Sequence, residues 1–313
     1  MPDAGLSDDR LHDGQREPRN PVDPSRPYAF LVEPERTAEG SVEDVATVFI
    51  TNKECPYRCV FCDLWRNATR DRVRPGVVAD QVEWALGRLA WAPHVKLYNS
   101  GNFFDEQAIP RADRPRIARL VADRRTLIVE CHPKLVDARC LDFADSLDPR
   151  LEVAMGLETV DPNVLPRLNK SMTLDDFERA ADSMVSHAIR VRAFILLPAP
   201  FQSVDQGVTW AIRSVRFAFS VGVECCAIIP LRWENGPMHA ESARNDVPSP
   251  TIAALETVLE EGIRLGRGRV LADLWDIERL AGCPLCGPRR IERLSQINFS
   301  QTIPPRITCD CGA

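Results

Sequence analysis

Three cysteines lie close together near the start of the chain, and their spacing suits a metal centre. Cys55, Cys59 and Cys62 are separated by three and then two residues and follow an apolar run. A closed zinc site takes four protein ligands, yet the next residues, 63–73, contain neither His nor Cys. Three thiolates can instead hold three irons of a [4Fe-4S] cluster and leave the fourth iron open. The triad therefore favours an iron–sulfur cluster with an external ligand over zinc.

A second group of cysteines lies near the end of the sequence. It consists of two close pairs: Cys283 and Cys286, then Cys309 and Cys311. Four thiols in two pairs fit a structural zinc site and also the four-cysteine ligand set of an auxiliary iron–sulfur cluster. The knuckle-like spacing favours zinc, and the cluster stays open as the alternative. The other four cysteines are predicted to be buried apolar side chains: Cys131, Cys140, Cys225 and Cys226.

The elements that must position the first triad follow an alternating pattern. Between residues 46 and 231, short runs rich in Val, Ile and Leu alternate with longer amphipathic stretches. Six such strand–helix alternations predict a parallel sheet, and the continuous apolar runs indicate strands buried on both faces. Functional sites of such sheets lie at the carboxyl ends of the strands. The triad follows the first predicted strand at that end.

The chain divides into three predicted parts. Residues 1–44 show little hydrophobic periodicity and are predicted to be a flexible N-terminal arm. Residues 45–278 carry the α/β pattern, and residues 279–313 form a small cysteine-bearing, metal-binding module. A capping box at Thr173 and Asp176 marks the start of one predicted helix.

The triad, with Phe61 directly before its last cysteine, resembles the cluster motif of the radical S-adenosylmethionine (SAM) superfamily. The resemblance spans about residues 45–235. Two segments, VECHPKL (129–135) and AMGLETVDPNVLPRLNK (154–170), resemble the Elongator catalytic subunit and, more closely, the archaeosine synthase radical SAM subunit. The resemblance to the radical SAM superfamily implies a partial (β/α)6 barrel, which is a TIM-barrel-like α/β fold. It also implies that SAM binds the open iron and is cleaved by one electron to methionine and a 5′-deoxyadenosyl radical, which takes hydrogen from a substrate.

The same resemblance implies which residues contact the cofactor. Ser100, Gly101 and Asn102 occupy the place of a Gly-Gly-Glu-like turn that receives the amino group of SAM, and Glu158 and Arg192 are candidates for its polar and carboxylate contacts. A salt bridge of Glu158 to Arg190 or Arg192, or a structural ion pair of Arg192, stays open. The cofactor-binding candidates are thus Phe61, Ser100, Gly101, Asn102, Glu158 and Arg192.

A further set of polar residues is predicted to face the substrate. For His132, a histidine satisfied at the strand end is an equal alternative. For Lys170, a solvated loop lysine stays open as the alternative. For Arg232, the alternative is a structural ion pair. The substrate candidates are Glu130, His132, Asn169, Lys170 and Arg232.

The composition favours a small-molecule substrate over tRNA. The formal net charge is −6, so no global basic field attracts nucleic acid. Local arginine stretches occur at 111–119 and 289–293, yet no RNA-binding module is recognisable. A nucleoside, sugar or amino-acid derivative is expected. The alternative is a tRNA-modifying enzyme of archaeosine-synthase type, which cleaves the C–N bond of a base-linked lysine. The alternative of another class is a noncatalytic zinc-binding protein.

The chain is predicted to be cytoplasmic and free of the membrane. No apolar run approaches the roughly 18 residues of a membrane span, and the polar N-terminus lacks the apolar stretch of a signal peptide. The expected protein partner is a reductase or flavodoxin-type electron donor, which reduces the cluster.

Overall fold

A computed structural model describes residues 18–232 and 249–311. Its strands form one sheet, ordered from β1 to β8 as in the sequence. The strands are β1 (Ala29–Arg36), β2 (Val42–Phe49), β3 (His94–Tyr98), β4 (Thr126–Glu130), β5 (Arg150–Glu158), β6 (Arg190–Leu197), β7 (Cys225–Pro230) and β8 (Arg269–Ala272). The helices are α1 (Val77–Leu86), α2 (Arg114–Leu120), α3 (Ala138–Asp145), α4 (Leu174–Ser186), α5 (Val204–Ser220), α6 (Ile252–Arg264) and α7 (Gly287–Ser300).

The sheet is parallel except at its first strand. β1 pairs with β2 in the antiparallel sense, whereas β2 to β8 run parallel with helices between them. The predicted α/β fold is confirmed, with eight strands rather than six. α4 begins with the predicted capping box, because Thr173 and Asp176 each satisfy a backbone N–H group of the other. None of the described helices is long and apolar enough to cross a membrane.

The sheet curls so that distant strands meet inside it. The guanidinium of Arg192 on β6 contacts Glu35 on β1 at 2.7 Å, although four strands lie between them in the sheet order. Arg269 on β8 donates a hydrogen bond of 2.7 Å to the carbonyl of Arg36 on β1. Such contacts across the sheet require a partial barrel, in which alternate side chains of each strand point inwards.

Five charged side chains form an ion layer inside this half-barrel. They are Glu35, Lys96, Glu152, Arg192 and Arg269. Lys96 lies 2.6 Å from Glu35, and Arg192 lies 2.7 Å from Glu152. Burial opposes the ionisation of Glu35, but Arg192 and Lys96 outweigh it and hold the pKa of Glu35 well below its usual range. Buried charges are tolerated only when paired in this way, so the layer must stay complete.

The N-terminal arm is shorter than the sequence analysis predicted. Residues 29–36 lie within the predicted arm, yet they form β1, and Phe30 and Val32 pack against the hydrophobic core. Arg19 donates hydrogen bonds to the carbonyls of Trp65 and Ala68. The pairing of β1 with β2 therefore overrides the weak local pattern. Residues 1–17 of the predicted arm lie outside the described residues.

Candidate functional site

The cysteine loop (residues 51–69) follows β2 at the carboxyl edge of the sheet. Its base is closed by backbone hydrogen bonds from Glu54 N to Thr69 O and from Thr69 N to Asn52 O, at 2.9 and 2.8 Å. Cys55, Cys59 and Cys62 lie on this loop, all partly buried and none in a disulfide. The structure therefore brings the predicted triad to the predicted edge.

The sulfurs of the triad are less closely gathered than those of the C-terminal cysteines. Within residues 18–232 and 249–311, the group of potential metal ligands whose ligand atoms all lie within 4.8 Å of one another is Cys283, Cys286, Cys309 and Cys311, and the triad does not form such a group. A tetrahedral zinc site with Zn–S bonds of about 2.3 Å needs sulfurs about 3.8 Å apart. In an iron–sulfur cluster each cysteine binds a different iron, so the sulfurs stand farther apart. The wider spacing of the triad is in the direction that a cluster requires.

The thiols of the triad need a positive partner to ionise. Burial raises the pKa of Cys59 to about 11 and also raises the pKa values of Cys55 and Cys62. Metal ligation requires the thiolate, so a metal centre bound by these thiols would displace their protons.

The turn after β3 lies directly against Cys55. Asn102 Nδ2 donates a hydrogen bond to Cys55 Sγ at 3.3 Å, and Asn102 Oδ1 accepts one from the backbone of His132. A Cβ atom on Gly101 would lie 2.9 Å from Cys55 Cβ. Gly101 also has a positive φ of 158°, which residues with a side chain rarely adopt, so glycine is favoured here both by the close approach and by the backbone conformation. The structure thus places Ser100, Gly101 and Asn102 beside the triad, as predicted.

Glu130 at the end of β4 supports the turn after β3 through hydrogen bonds to its backbone. Its carboxylate accepts a hydrogen bond of 2.9 Å from the backbone N–H group of Asn99. Burial raises the pKa of Glu130 to about 7, partly offset by the backbone N–H groups of Asn99, Gly101 and Ser100. These contacts make Glu130 a supporting residue of the turn, whereas its predicted substrate contact stays a prediction.

Glu130 is expected to make the stability fall as the pH rises from about 4.5 to about 7. Its pKa in the folded chain lies above the usual 4.5, so the folded chain holds a proton that the unfolded chain has lost in this window. The Glu130→Gln variant should lack this slope, which amounts to at most about 1.4 kcal/mol per pH unit. Urea unfolding across the window measures it, with Glu178→Gln on the exposed face of α4 as the control. An unchanged slope in Glu130→Gln would contradict the assignment.

His132 is fully satisfied in its position. Its ring stacks on Tyr57 of the cysteine loop, with centroids 3.8 Å apart. Nδ1 accepts a hydrogen bond from Lys134 N, so the proton lies on Nε2, which donates to the carbonyl of Lys170 at 2.9 Å. Burial lowers the pKa of His132 to about 4. These contacts support the alternative of a satisfied histidine, which here orients the cysteine loop.

A buried ion pair lies next to the cysteine loop. Lys170 Nζ contacts Glu158 Oε1 at 2.6 Å, and both side chains are buried. Burial opposes the charge of Lys170, but Glu158 and the thiols of Cys59 and Cys55 raise its pKa. Glu158 thus pairs with a lysine, and not with Arg190 or Arg192 as the sequence analysis had considered. Lys170 is not the solvated lysine of the alternative prediction.

The residues before Lys170 hold the cysteine loop in place. Asn169 Nδ2 donates a hydrogen bond of 2.9 Å to the carbonyl of Arg58, and Val60 N donates one of 3.1 Å to the carbonyl of Leu168. Phe61 is partly buried against the hydrophobic core. Asn169 and Phe61 are therefore brought to the site as supports of the loop.

Arg192 and Arg232, the two arginines among the predicted site residues, lie at different ends of the strands. Arg192 belongs to the ion layer near the start of β6, away from the carboxyl edge, so its contacts fit the structural ion pair and not the predicted contact with SAM. Arg232 does lie at the carboxyl edge after β7. It contacts Asp273 at 3.1 Å and the carbonyl of Trp275, so it joins the ends of β7 and β8.

Sequence reasoning missed an aromatic wall on the inner face of the sheet. Phe49 and Trp275 have ring centroids 5.3 Å apart, Phe49 and Tyr98 6.0 Å, and Tyr98 and Phe194 6.2 Å. Phe49, Tyr98 and Phe194 are partly buried, and Trp275 is 47% exposed. The alternation of residues along each strand could have indicated this wall. In His94–Tyr98, for example, Val95 and Leu97 face the helices, so Tyr98 faces inwards.

The four C-terminal cysteines converge as predicted. Cys283 and Cys309 have sulfurs 3.9 Å apart, and those of Cys286 and Cys311 are 3.5 Å apart. The group could hold a metal ion. The prediction that the remaining cysteines are buried is confirmed for Cys131, Cys140, Cys225 and Cys226.

Two curated proteins are similar to the chain in sequence, although no protein-family model matches it. An uncharacterised protein of Methanocaldococcus jannaschii is 19% identical over an alignment of 326 positions, which covers 96% of this chain and 89% of that protein. Archaeosine synthase subunit beta of Methanosarcina acetivorans is 28% identical over 173 residues, half of each chain. The match thus spans about half the length of this archaeosine synthase subunit.

Two solved structures share the fold. Methylornithine synthase, PylB, superimposes with a TM-score of 0.54 at 14% identity, covering 79% of this chain and 66% of that one. Elp3 of the archaeon Methanocaldococcus infernus gives a TM-score of 0.50 at 12% identity, covering 62% and 51%. The predicted resemblance to archaeosine synthase subunit beta is thus confirmed in sequence over half of the chain, and the predicted resemblance to Elp3 is confirmed in the fold.

Proposed function

We propose that the chain is a radical SAM enzyme whose [4Fe-4S] cluster is held by Cys55, Cys59 and Cys62. The observation that carries the proposal is the triad itself: three partly buried free thiols on one loop at the carboxyl end of β2, in a chain with this fold. The close approach of Gly101 to Cys55 and the hydrogen bond from Asn102 to its sulfur fit a cluster ligand.

The surrounding residues have definite tasks in this proposal. The cluster and SAM, when bound, supply a one-electron cleavage of SAM and hence a radical that takes a hydrogen atom from the substrate. Asn102 donates to the sulfur of Cys55, and the positive charge of Lys170 acts to lower the pKa values of Cys55 and Cys59, although Glu158 opposes this effect at Cys59. His132, stacked on Tyr57, fixes the orientation of the loop between the ligands.

Replacing all three cysteines of the triad with alanine is expected to abolish the bound iron and the cleavage of SAM. Chain reconstituted with iron and sulfide without oxygen should be brown, and after reduction it should convert SAM to 5′-deoxyadenosine. Cys226→Ala, a buried cysteine of β7 outside the triad, should keep both properties. A colourless chain that contains only zinc would support the noncatalytic alternative and contradict the proposal.

A small molecule is the substrate that we propose, since four of the seven arginines in the two stretches contact other groups of the protein, and three of these four are buried. Arg114 is buried and donates to the carbonyl of Phe104, and Arg116 pairs with Asp80 and Glu83. In the second stretch, Arg290 and Arg293 are buried. They contact Glu256 and Glu260 at 2.7 and 2.8 Å. Such paired arginines do not form the broad basic surface that RNA binding requires.

The aromatic wall supports a substrate that carries a ring or an apolar group. Phe49, Tyr98 and Phe194 lie on the inner face towards the carboxyl edge, where the cysteine loop also lies. Aromatic faces bind flat rings and exclude water, so a nucleoside derivative fits this wall. We further propose that a flavodoxin or a reductase supplies the electron.

A tRNA substrate, as the name of the archaeosine synthase relative suggests, makes a different prediction. Tight tRNA binding should weaken steeply with salt, by a slope of roughly 0.7 to 0.9 per phosphate contact on a double logarithmic plot. Such a result would replace the small molecule with tRNA and leave the proposed chemistry in place. Weak binding of tRNA with little salt dependence would support the small molecule.

A further inference from the structure

We propose that Cys283, Cys286, Cys309 and Cys311 hold one zinc ion, and that this site keeps α7 seated on the open edge of β8. The inference is independent of the chemistry proposed for the first triad. It concerns what closes the half-barrel at its last strand.

The spacing of the four sulfurs matches a single tetrahedral ion. Zn–S bonds of about 2.3 Å place sulfurs about 3.8 Å apart. The sulfurs of Cys283 and Cys309 are 3.9 Å apart, those of Cys286 and Cys311 are 3.5 Å apart, and all four lie within 4.8 Å of one another. A [4Fe-4S] cluster binds each cysteine to a different iron and needs a wider arrangement, so the geometry favours zinc over an auxiliary cluster.

The first pair forms a knuckle at the start of α7. The backbone N–H groups of Cys286 and Leu285 donate hydrogen bonds to the sulfur of Cys283. Gly287 N donates to the carbonyl of Cys283 at 2.8 Å, and Arg290 N donates to that of Cys286 at 2.9 Å. The knuckle is therefore continuous with the first turn of the helix.

The second pair lies on a segment without regular structure that returns along the helix. Residues 301–309 contain neither helix nor strand. Arg293 holds the carbonyls of Pro304 and Pro305 at 2.6 and 2.9 Å, and Arg306 contacts Glu260 of α6 at 3.0 Å. Cys309 and Cys311 are themselves exposed, so apolar burial does not hold this end. A metal bond to the knuckle would close the segment into a loop around α7.

α7 covers β8 with side-chain amides in the place of another strand. Asn298 both accepts from Ala272 N and donates to Ala272 O, each at 2.8 Å. Gln301 does the same for Val270 N and Val270 O, again at 2.8 Å. An edge strand exposes unpaired backbone groups, and these two amides satisfy those of β8. A site that ties the segment after α7 back to the start of the helix therefore also helps to keep these two amides on the edge of the sheet.

The metal content tests the first half of the inference. The full chain with Cys55, Cys59 and Cys62 replaced by alanine should contain one zinc per chain and no iron. After exchange for cobalt, it should show the absorption of tetrahedral thiolate coordination. Iron with sulfide in this variant would assign an auxiliary cluster and overturn the inference, as would the absence of any bound metal. Iron at the first triad is measured in the parent chain, so the two proposals fail separately.

Hydrogen exchange tests the second half. Replacing Cys309 and Cys311 with serine should remove the zinc and speed the exchange of the Val270 and Ala272 amides at least about tenfold, while the β5 amides stay protected. The Asn298→Leu and Gln301→Leu double variant should keep the zinc and still speed the exchange of the same two amides. Unchanged exchange in the zinc-free variant would overturn the role of the site in seating α7.

Discussion

Replacement of Lys170 with methionine is expected to lower the free energy of unfolding by about 3–5 kcal/mol. Methionine fills a similar volume but leaves the carboxylate of Glu158 buried without its partner at 2.6 Å. The change also removes a positive charge close to Cys59 and Cys55, so the pKa values of these thiols rise further. Urea unfolding measures the stability, and iron per chain after reconstitution measures the loss of ligand ionisation.

A second lysine and a double variant make the test specific. Lys134→Met changes a lysine that is partly exposed and 3.8 Å from Asp176, so it should cost less than about 1 kcal/mol. Removing both charges in Glu158→Leu and Lys170→Met should recover much of the loss, because no unpaired charge remains. A loss below about 1 kcal/mol in Lys170→Met alone would mean that the pair is not buried as described.

Alanine in place of Gly101 should lower the rate of SAM cleavage by about 10- to 100-fold while the fold persists. The new Cβ would meet Cys55 Cβ at 2.9 Å and Cys55 Sγ at 3.3 Å, so the ligand must move. Displacements of about 1 Å at a reacting centre cost up to about 100-fold in rate. The overpacked methyl group and the strained backbone at a φ of 158° each cost about 1–3 kcal/mol in stability. Rate, bound iron and urea unfolding are measured on the same preparation.

The matched control is Gly282→Ala. A Cβ atom at Gly282 would have no neighbour within 4 Å, so the iron content and the rate should stay as in the parent chain. Full activity in Gly101→Ala would show that Cys55 can shift without disturbing the site, and would contradict the close packing of the turn against the loop.

The triad and the fold class could be predicted from the sequence because both rest on local patterns. The spacing of Cys55, Cys59 and Cys62 is visible directly, and each strand and helix carries its own periodicity. The turn at Ser100–Asn102 could be placed because the carboxyl ends of parallel strands meet at one edge. The sequence also placed the four C-terminal cysteines in one site, since two close pairs of thiols are a recognisable ligand set.

Partner choice could not be predicted in the same way. Arg190 and Arg192 were the partners considered for Glu158, and only the fold shows that Lys170 takes this place. Arg192 was assigned to SAM because its depth along β6 cannot be known before the register is fixed. β1 was missed because only its first four residues, 29–32, are apolar, and its antiparallel partner stabilises it more than its own propensity does.

The ion layer occupies the inside of the half-barrel near the amino ends of its parallel strands. Glu35, Lys96, Glu152 and Arg192 fill the inner space near the amino ends of the strands, and a molecule passing there would have to separate buried pairs at a cost of about 3–5 kcal/mol each. Within the part of the chain that the structure describes, we therefore expect molecules to reach the cysteine loop from the carboxyl edge of the sheet and not through the ion layer.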